Sequence, residues 1–289
     1  MPTTREIRRR IRSVKNTSQI THAMEMVAAS KMRRAQNMAL ATRPYADKMY
    51  EVLGHLAAVM AHVAKGDIPH PLLQRRETRA YGLVLITADR GLAGGLNTNV
   101  IQHAASFILA NRDVPTRVIA VGRKGRDWMA RRNVPVVNEI TGLGDRPSVL
   151  DTFSISHAVI DGYLEGLFDE VYMVYSDFVS TLVQRPVRRR LLPVEPPIVA
   201  DHYESDYIYE PEPGEVLAEL LPRFVEMEVY HAVLESIASE QSARMVAMRN
   251  ATENAKELVG ELTLTYNRAR QAMITKEIAE IAAAEAVLK

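Results

Sequence analysis

"YGLVLITADRGLAGGLN", residues 81–97, decides the fold. An apolar run leads into Gly91, Gly94 and Gly95, and "LNTNVIQHAASFILANR" then reads as a helix. Strand, glycine-rich turn and helix is an order by which many proteins seat a nucleotide phosphate on a helix N-terminus. The spacing here does not suit that use. A phosphate loop wants G-x-x-x-x-G-K-[ST], with a lysine on the phosphates, and "GLAGGLN" carries no lysine. Nor do the three glycines fit G-x-G-x-x-G. They read instead as a tight strand-to-helix turn, with Asp89 and Arg90 pairing locally or meeting a neighbouring subunit.

The same alternation continues outward. "TRVIAVG", "VPVVNEI" and "EVYMVYSDF" are strand candidates, separated by helical patterns in "RKGRDWMARRN" and "PSVLDTFSISHAVIDGYLEG". "QRPVRRRLLP" reads as an edge strand, because Pro186 cannot donate to a ladder. Strands alternating with helices predict an α/β layer with a mainly parallel sheet, here over residues 75–200.

Both flanks are helical. Thr3 and Glu6 have capping-box spacing. Ile7, Ile11, Val14, Ile20, Met24 and Val27 follow at helical intervals, and no Gly or Pro occurs between Thr3 and Arg43. Pro44 predicts a bend or break, after which "ADKMYEVLGHLAAVMAHVA" resumes the pattern and "KGDIPHPLL" ends it. From Glu215 to Lys289 only Pro222 and Gly260 interrupt, and Pro222 predicts a kink or a fresh start. At about 1.5 Å per residue the two helices would span roughly 90 Å and 100 Å. Helices of that length need a partner to bury their apolar stripe. Residues 1–65 and 213–289 are therefore expected to pair as an antiparallel coiled coil. Ser18 and Glu25 near its seam suggest that a third surface completes it.

The bulk numbers exclude several classes. The 289 residues allow one large domain or two small ones. With no cysteine, a disulfide framework, a thiolate metal site and a thiol nucleophile are excluded. The start, "MPTTREIRRRIRS", lacks the apolar core of a signal peptide, and no stretch approaches the roughly 18 apolar residues of a membrane span. The formal net charge is only +1, but residues 1–43 hold ten Lys/Arg against two Glu, while acids dominate residues 201–228. That asymmetry predicts different partners for the two stretches. The eight histidines lack metal spacing. The N-terminal arginines lack the interleaved aromatics of a nucleic-acid surface, so they suit an acidic protein partner better than DNA or RNA.

Five blocks carry a family resemblance: "MEMVAASKMRRAQ" (24–36), "TADRGLAGGLN" (87–97), "YIYEPEP" (207–213), "SEQSARMVAMRNATENAKEL" (239–258) and "LTLTYNRARQAMITKEIAEI" (262–281). In order, and across essentially the whole chain, they resemble the gamma subunit of F-type ATP synthase. The resemblance implies a central rotor shaft: terminal helices coiled inside a ring of alpha and beta subunits, and a Rossmann-like domain below, beside the epsilon subunit and the c-ring. It implies no cofactor and no catalytic residue, since ATP is made on the beta subunits. A peripheral position on the cytoplasmic face of a bacterial plasma membrane would follow.

The resemblance also implies contact residues. Met24, Glu240 and Arg244 match a contact with an acidic lever of beta, and Arg33 and Arg34 add positive charge suited to it. Arg270, Gln271, Thr275 and Glu277 match a catch with beta near the top. Tyr207, Tyr209 and Glu210 match the foot on the c-ring and epsilon, with Tyr45 in "RPYAD" expected beside them. The tip, "EIAAAEAVLK", departs from the family, which often has a glycine soon after the "EI" pair, and Lys276 stands where Gln is common. A stiffer, more charged tip is expected. The rival reading is a Rossmann-type nucleotide-binding enzyme whose helical arms dimerise it.

Overall fold

The computed structural model describes residues 3–63, 70–197 and 209–287. In chain order these form α1 (Thr4–Val63), a short 3-10 turn (Pro71–Leu73), β1 (Tyr81–Ile86), α2 (Leu96–Ala110), β2 (Thr116–Val121), α3 (Arg123–Arg131), β3 (Val136–Ile140), α4 (Val149–Leu164), β4 (Glu170–Phe178), β5 (Gln184–Leu192) and α5 (Pro213–Val287). The sheet order is β3-β2-β1-β4-β5. β1 to β4 are parallel, and β5 is antiparallel on β4. Pro186 sits opposite Ser176 on this edge strand, where its missing N–H leaves no internal ladder bond unmade.

The chain divides into two compact units, residues 1–28 with 244–289, and residues 29–243. In the second unit, β1 explains why a continuous apolar run was needed. Val84 and Ile86 point into a core shared with α1, α4 and α5, while Leu83 and Leu85 point into a second core under α2 and α3. Successive strand residues face opposite sides, and a parallel strand covered on both faces has no solvent side to spend on polar residues. The larger core takes Met49, Leu53 and Leu56 from α1 and residues from Leu217 to Ala238 of α5.

In the first unit, Thr3 and Glu6 cap α1 as their spacing predicts: Thr3 N donates to Glu6 Oε2 at 2.9 Å, and Glu6 N donates to Thr3 Oγ1 at 3.3 Å. Burial then recurs by sevens. Ile7, Thr21 and Ala28 are buried, and Ile11, Val14, Ser18 and Glu25 are half-buried. On the facing helix Met245, Met248, Thr252 and Ala255 are buried, and Val259, Leu262, Tyr266 and Ala269 half-buried. Alternate steps of four and three are the 3.5-residue period of a two-helix seam. The Thr21 and Thr252 hydroxyls meet at 2.7 Å, and Arg249 Nε lies 2.9 Å from Glu25 Oε1. The two pairs run in opposite chain directions, so the helices are antiparallel. The Arg249 hydrogen bond is also the main reason the Glu25 carboxyl is held below its usual range.

Of the bend or break expected at Pro44 and the kink or fresh start expected at Pro222, the break and the fresh start do not occur; both helices run through. An interior proline costs about 3 kcal/mol. Around Pro222, burial of Leu217, Leu221, Phe224 and Val225 offsets this, at about 1.5–3 kcal/mol for each fully buried large side chain. The residues whose carbonyls lose their partners, Leu40 and Ala218, are themselves exposed, so water can satisfy them. At the C-terminal end the helix continues to Val287, past Ala284.

Candidate functional site

The strand order reverses beside β1, with β2 and β3 to one side and β4 to the other. In open α/β sheets the crevice at the carboxyl ends of such strands is where ligands bind. Here that crevice is occupied by the chain itself. Asp89 Oδ1 accepts from the backbone N of Arg123, at the start of α3, at 3.0 Å. Its Oδ2 accepts from Gly142 N at 2.8 Å. A carboxylate on a helix N-terminus gains the same dipole and amide interactions that would otherwise serve a phosphate. The Arg123 side chain stands 3.6 Å from the same carboxylate.

The turn is built to present this aspartate. Leu92 and Gly94 adopt positive φ, 66° and 55°. Ala88 N donates to Asn97 Oδ1 at 2.9 Å, which ties the end of β1 back to α2. Gly122 has φ 88°, and a Cβ there would lie 2.0 Å from the Thr87 carbonyl oxygen. Thr87 Oγ1 accepts from Gly125 N at 2.8 Å. From the other side Val233, Ser236, Ile237 and Glu240 of α5 close the crevice, leaving a cavity of about 50 Å³. Small-molecule sites occupy about 300–1,000 Å³, so a nucleotide does not fit in it. The glycines thus serve an internal turn, as their spacing predicts.

The contact residues singled out in the sequence do not form one cluster. Met24 is half-buried, and Arg33 and Arg34 are exposed on α1. Arg34 Nη2 donates to Ser30 Oγ at 3.1 Å, which holds the guanidinium along the helix surface. Glu240 and Arg244 are half-buried on α5. Arg270, Gln271, Thr275 and Glu277 are all exposed. Exposed apolar residues accompany them: Leu264, Met273, Ile274, Ile278 and Ile281, the last at 69%. At the other end, Tyr209 packs partly buried on the larger core and Glu210 is exposed. Tyr207 lies outside the described residues.

Tyr45 is exposed on α1, at 55%. Tyr50, further along the same helix, stacks on Phe224 with ring centroids 5.9 Å apart, and Glu210 shares a recess with Glu219, Leu220 and Arg223.

A second carboxylate was missed altogether. Asp145 Oδ2 lies 2.6 Å from Lys31 Nζ on α1, and its Oδ1 accepts from Gln241 Nε2 on α5 at 3.0 Å. Its partners are 114 and 96 residues away in sequence, so no local pattern could have announced it.

Comparison with known proteins gives one answer. A family described as ATP synthase matches residues 3–288. The ATP synthase gamma chain of Roseiflexus sp. (strain RS-1) is 56% identical over 290 residues, covering 100% of this chain and 99% of that one. The gamma chain of Chloroflexus aurantiacus is 53% identical, with the same coverage, and that of Dehalococcoides mccartyi 52%, covering 100% of both. Among solved structures, the central stalk/c-ring assembly of the Tetrahymena thermophila mitochondrial ATP synthase contains a chain 27% identical, with a TM-score of 0.62, covering 80% of this chain and 99% of that chain. A chain of the Euglena gracilis mitochondrial ATP synthase shares the fold at 19% identity, with a TM-score of 0.67 over 99% of this chain and 94% of that one. The chain belongs to the ATP synthase gamma chain family.

Proposed function

We propose that this chain is the central-stalk rotor subunit of an F-type ATP synthase. It carries no catalytic residue; it couples ion-driven rotation of a c-ring to the conformational cycle of catalytic beta subunits. Its partners are a ring of alpha and beta subunits, an epsilon subunit and the c-ring, and it works at the cytoplasmic face of a plasma membrane. Residues 1–65 and 213–289 wind as the antiparallel coiled-coil shaft, and residues 75–200 are the domain at its base.

The observation that carries this reading is the exposed apolar surface from Leu264 to Ile281 in a chain that matches gamma chains along its whole length. Such residues left in water cost free energy unless another surface covers them. A rotating shaft also needs contacts that release at each angle. Exposed polar pairs are worth about 0–1 kcal/mol each, which suits Arg33, Arg34, Arg270, Gln271, Thr275 and Glu277 as catches on beta, with the half-buried Met24, Glu240 and Arg244 proposed as further contacts on beta. Tyr45, Tyr207, Tyr209 and Glu210 are proposed for the c-ring and epsilon side.

The test is co-expression with the alpha and beta subunits of the same complex, followed by bead rotation under ATP. The intact chain should rotate in steps, and a truncation ending at Arg268 should rotate weakly. Failure of the intact chain to associate with alpha and beta would overturn the reading.

A further inference from the structure

The larger apolar core grips α1 from Ala35 onward and α5 up to Ala238. Asp145 reaches just beyond both limits, to Lys31, four residues before Ala35, and to Gln241, three residues after Ala238. The loop that carries it is not free to follow the helices. Gly142 N, at its start, is bonded to Asp89 Oδ2 at 2.8 Å, and at its end the Tyr230 hydroxyl donates to the Pro147 carbonyl at 3.3 Å. One carboxylate therefore ties α1, α5 and the sheet together where the larger core ends.

We propose that Asp145 is a positioning residue, a clamp that passes torsional load between the α/β layer and the two helices, with Asp89 fixing the loop that bears it. The Lys31 limb is partly exposed, with side-chain exposures of 28% for Lys31 and 42% for Asp145, and adds little to fold stability, because exposed pairs are weak. The Gln241 limb is buried on the α5 side, at 2% exposure, and is the stronger of the two. The clamp's contribution is geometric. Two acceptor oxygens on one planar group hold two helices in a fixed spacing, and a lateral slip of either helix breaks a bond. Arg34 and Arg146 line the same recess, so the carboxylate also lies in a positive surround.

This inference rests on the rotor reading, and the experiment separates the two. In the assembled complex, a bead is attached to the α/β layer through Leu109→Cys, an exposed position in a chain without native cysteine. The alpha–beta ring is stalled, and the angular variance of the bead is recorded. Asp145→Ala and Lys31→Met should each raise that variance, on the order of twofold, by removing a tether against lateral slip of the helices. The double variant should exceed the Asp145 variant little, since the tether is shared. Unloaded ATP hydrolysis should be unchanged, and Asp145→Glu should restore part of the stiffness. Should Asp145→Ala fail to assemble, Lys31→Met, at a partly exposed side chain, carries the test. Unchanged variance in an assembled complex overturns the clamp alone. Failure of the unaltered chain to assemble with alpha and beta overturns the rotor reading and the clamp with it.

Discussion

In the α/β unit, β1 buries side chains on both faces, and Leu83, Val84 and Leu85 are all fully enclosed. In the unit of residues 3–28 and 244–287 the buried positions on α1 are Ile7, Thr21 and Ala28, and Ile20, Met26 and Val27 lie in solvent. The first unit to be compared makes its own core; the second buries a single stripe and leaves its remaining apolar side chains for a surface outside the chain. That difference suits a base that must stay rigid and a shaft that must be wrapped without being held.

The sharpest way to break this comparison is to make matched cavities. Leu83→Ala should cost about 2–5 kcal/mol, as for a fully packed core leucine. Ile7→Ala should fall near the low end, about 2 kcal/mol, because the exposed residues around it can collapse into the space. Denaturant unfolding measures both; equal costs would mean the helix pair is packed as tightly as the sheet. A smaller effect, about 1.5–3 kcal/mol, is expected for Asp89→Asn, which can accept from only one of the two amides that the carboxylate now satisfies. Amide exchange at Gly142 and Arg123 should speed up in that variant.

The seam offers a finer test. Thr21→Val should cost about 1 kcal/mol by removing one side of the buried hydroxyl pair. Replacing Thr252 with Val as well should add little further cost, since the Thr252 hydroxyl left in the single variant still donates to the Met248 carbonyl at 2.8 Å. A polar pair at a seam typically fixes register at some cost in stability, so the double variant should show looser register by disulfide trapping across the pair.

The smallest expected effect is on pH dependence in the base. Burial pushes the Glu228 carboxyl up, against the opposing pull of His231 and Arg189, and Glu235 adds to the rise. A carboxyl whose folded value is raised binds more protons in the native state than in the unfolded one, so stability falls as pH climbs from the ordinary glutamate range through the folded value. Glu228→Gln should remove that decline and stabilise the chain at neutral pH, measured by urea unfolding at successive pH values. In the helix pair the sign is opposite. Glu25 is lowered by Arg249, so its contribution is present above the ordinary carboxylate range and fades as pH falls through the folded value. Arg249→Ala should flatten the acid limb there.

Much of this was legible in the sequence, and the physical reason is locality. Each strand announced itself by an apolar run between turn residues, and Pro186 marked the edge. The turn at Gly91–Gly95 could be separated from a phosphate loop by spacing alone. The seam was legible only in part: Ile7, Ile11 and Val14 lie on it, but Ile20 and Val27, read into the same stripe, are exposed, and the stripe continues through Ser18, Thr21, Glu25 and Ala28. What could not be read were effects set by distant partners. Pro222 looks like a break until the burial on either side of it is known. Asp89 finds its donors 34 and 53 residues away, and Asp145 lies in a loop with no pattern of its own.

The central claim is that the strand–turn–helix at residues 81–97 holds a carboxylate of the chain where a nucleotide enzyme would hold phosphate. It is tested most directly by titrating the purified chain with Mg-ATP in a calorimeter, alongside Asp89→Asn. The account predicts no saturable heat from the unaltered chain and no turnover of ATP. Saturable binding to the unaltered chain, weakened or abolished by Asp89→Asn, would contradict it and restore the reading of a nucleotide-binding enzyme.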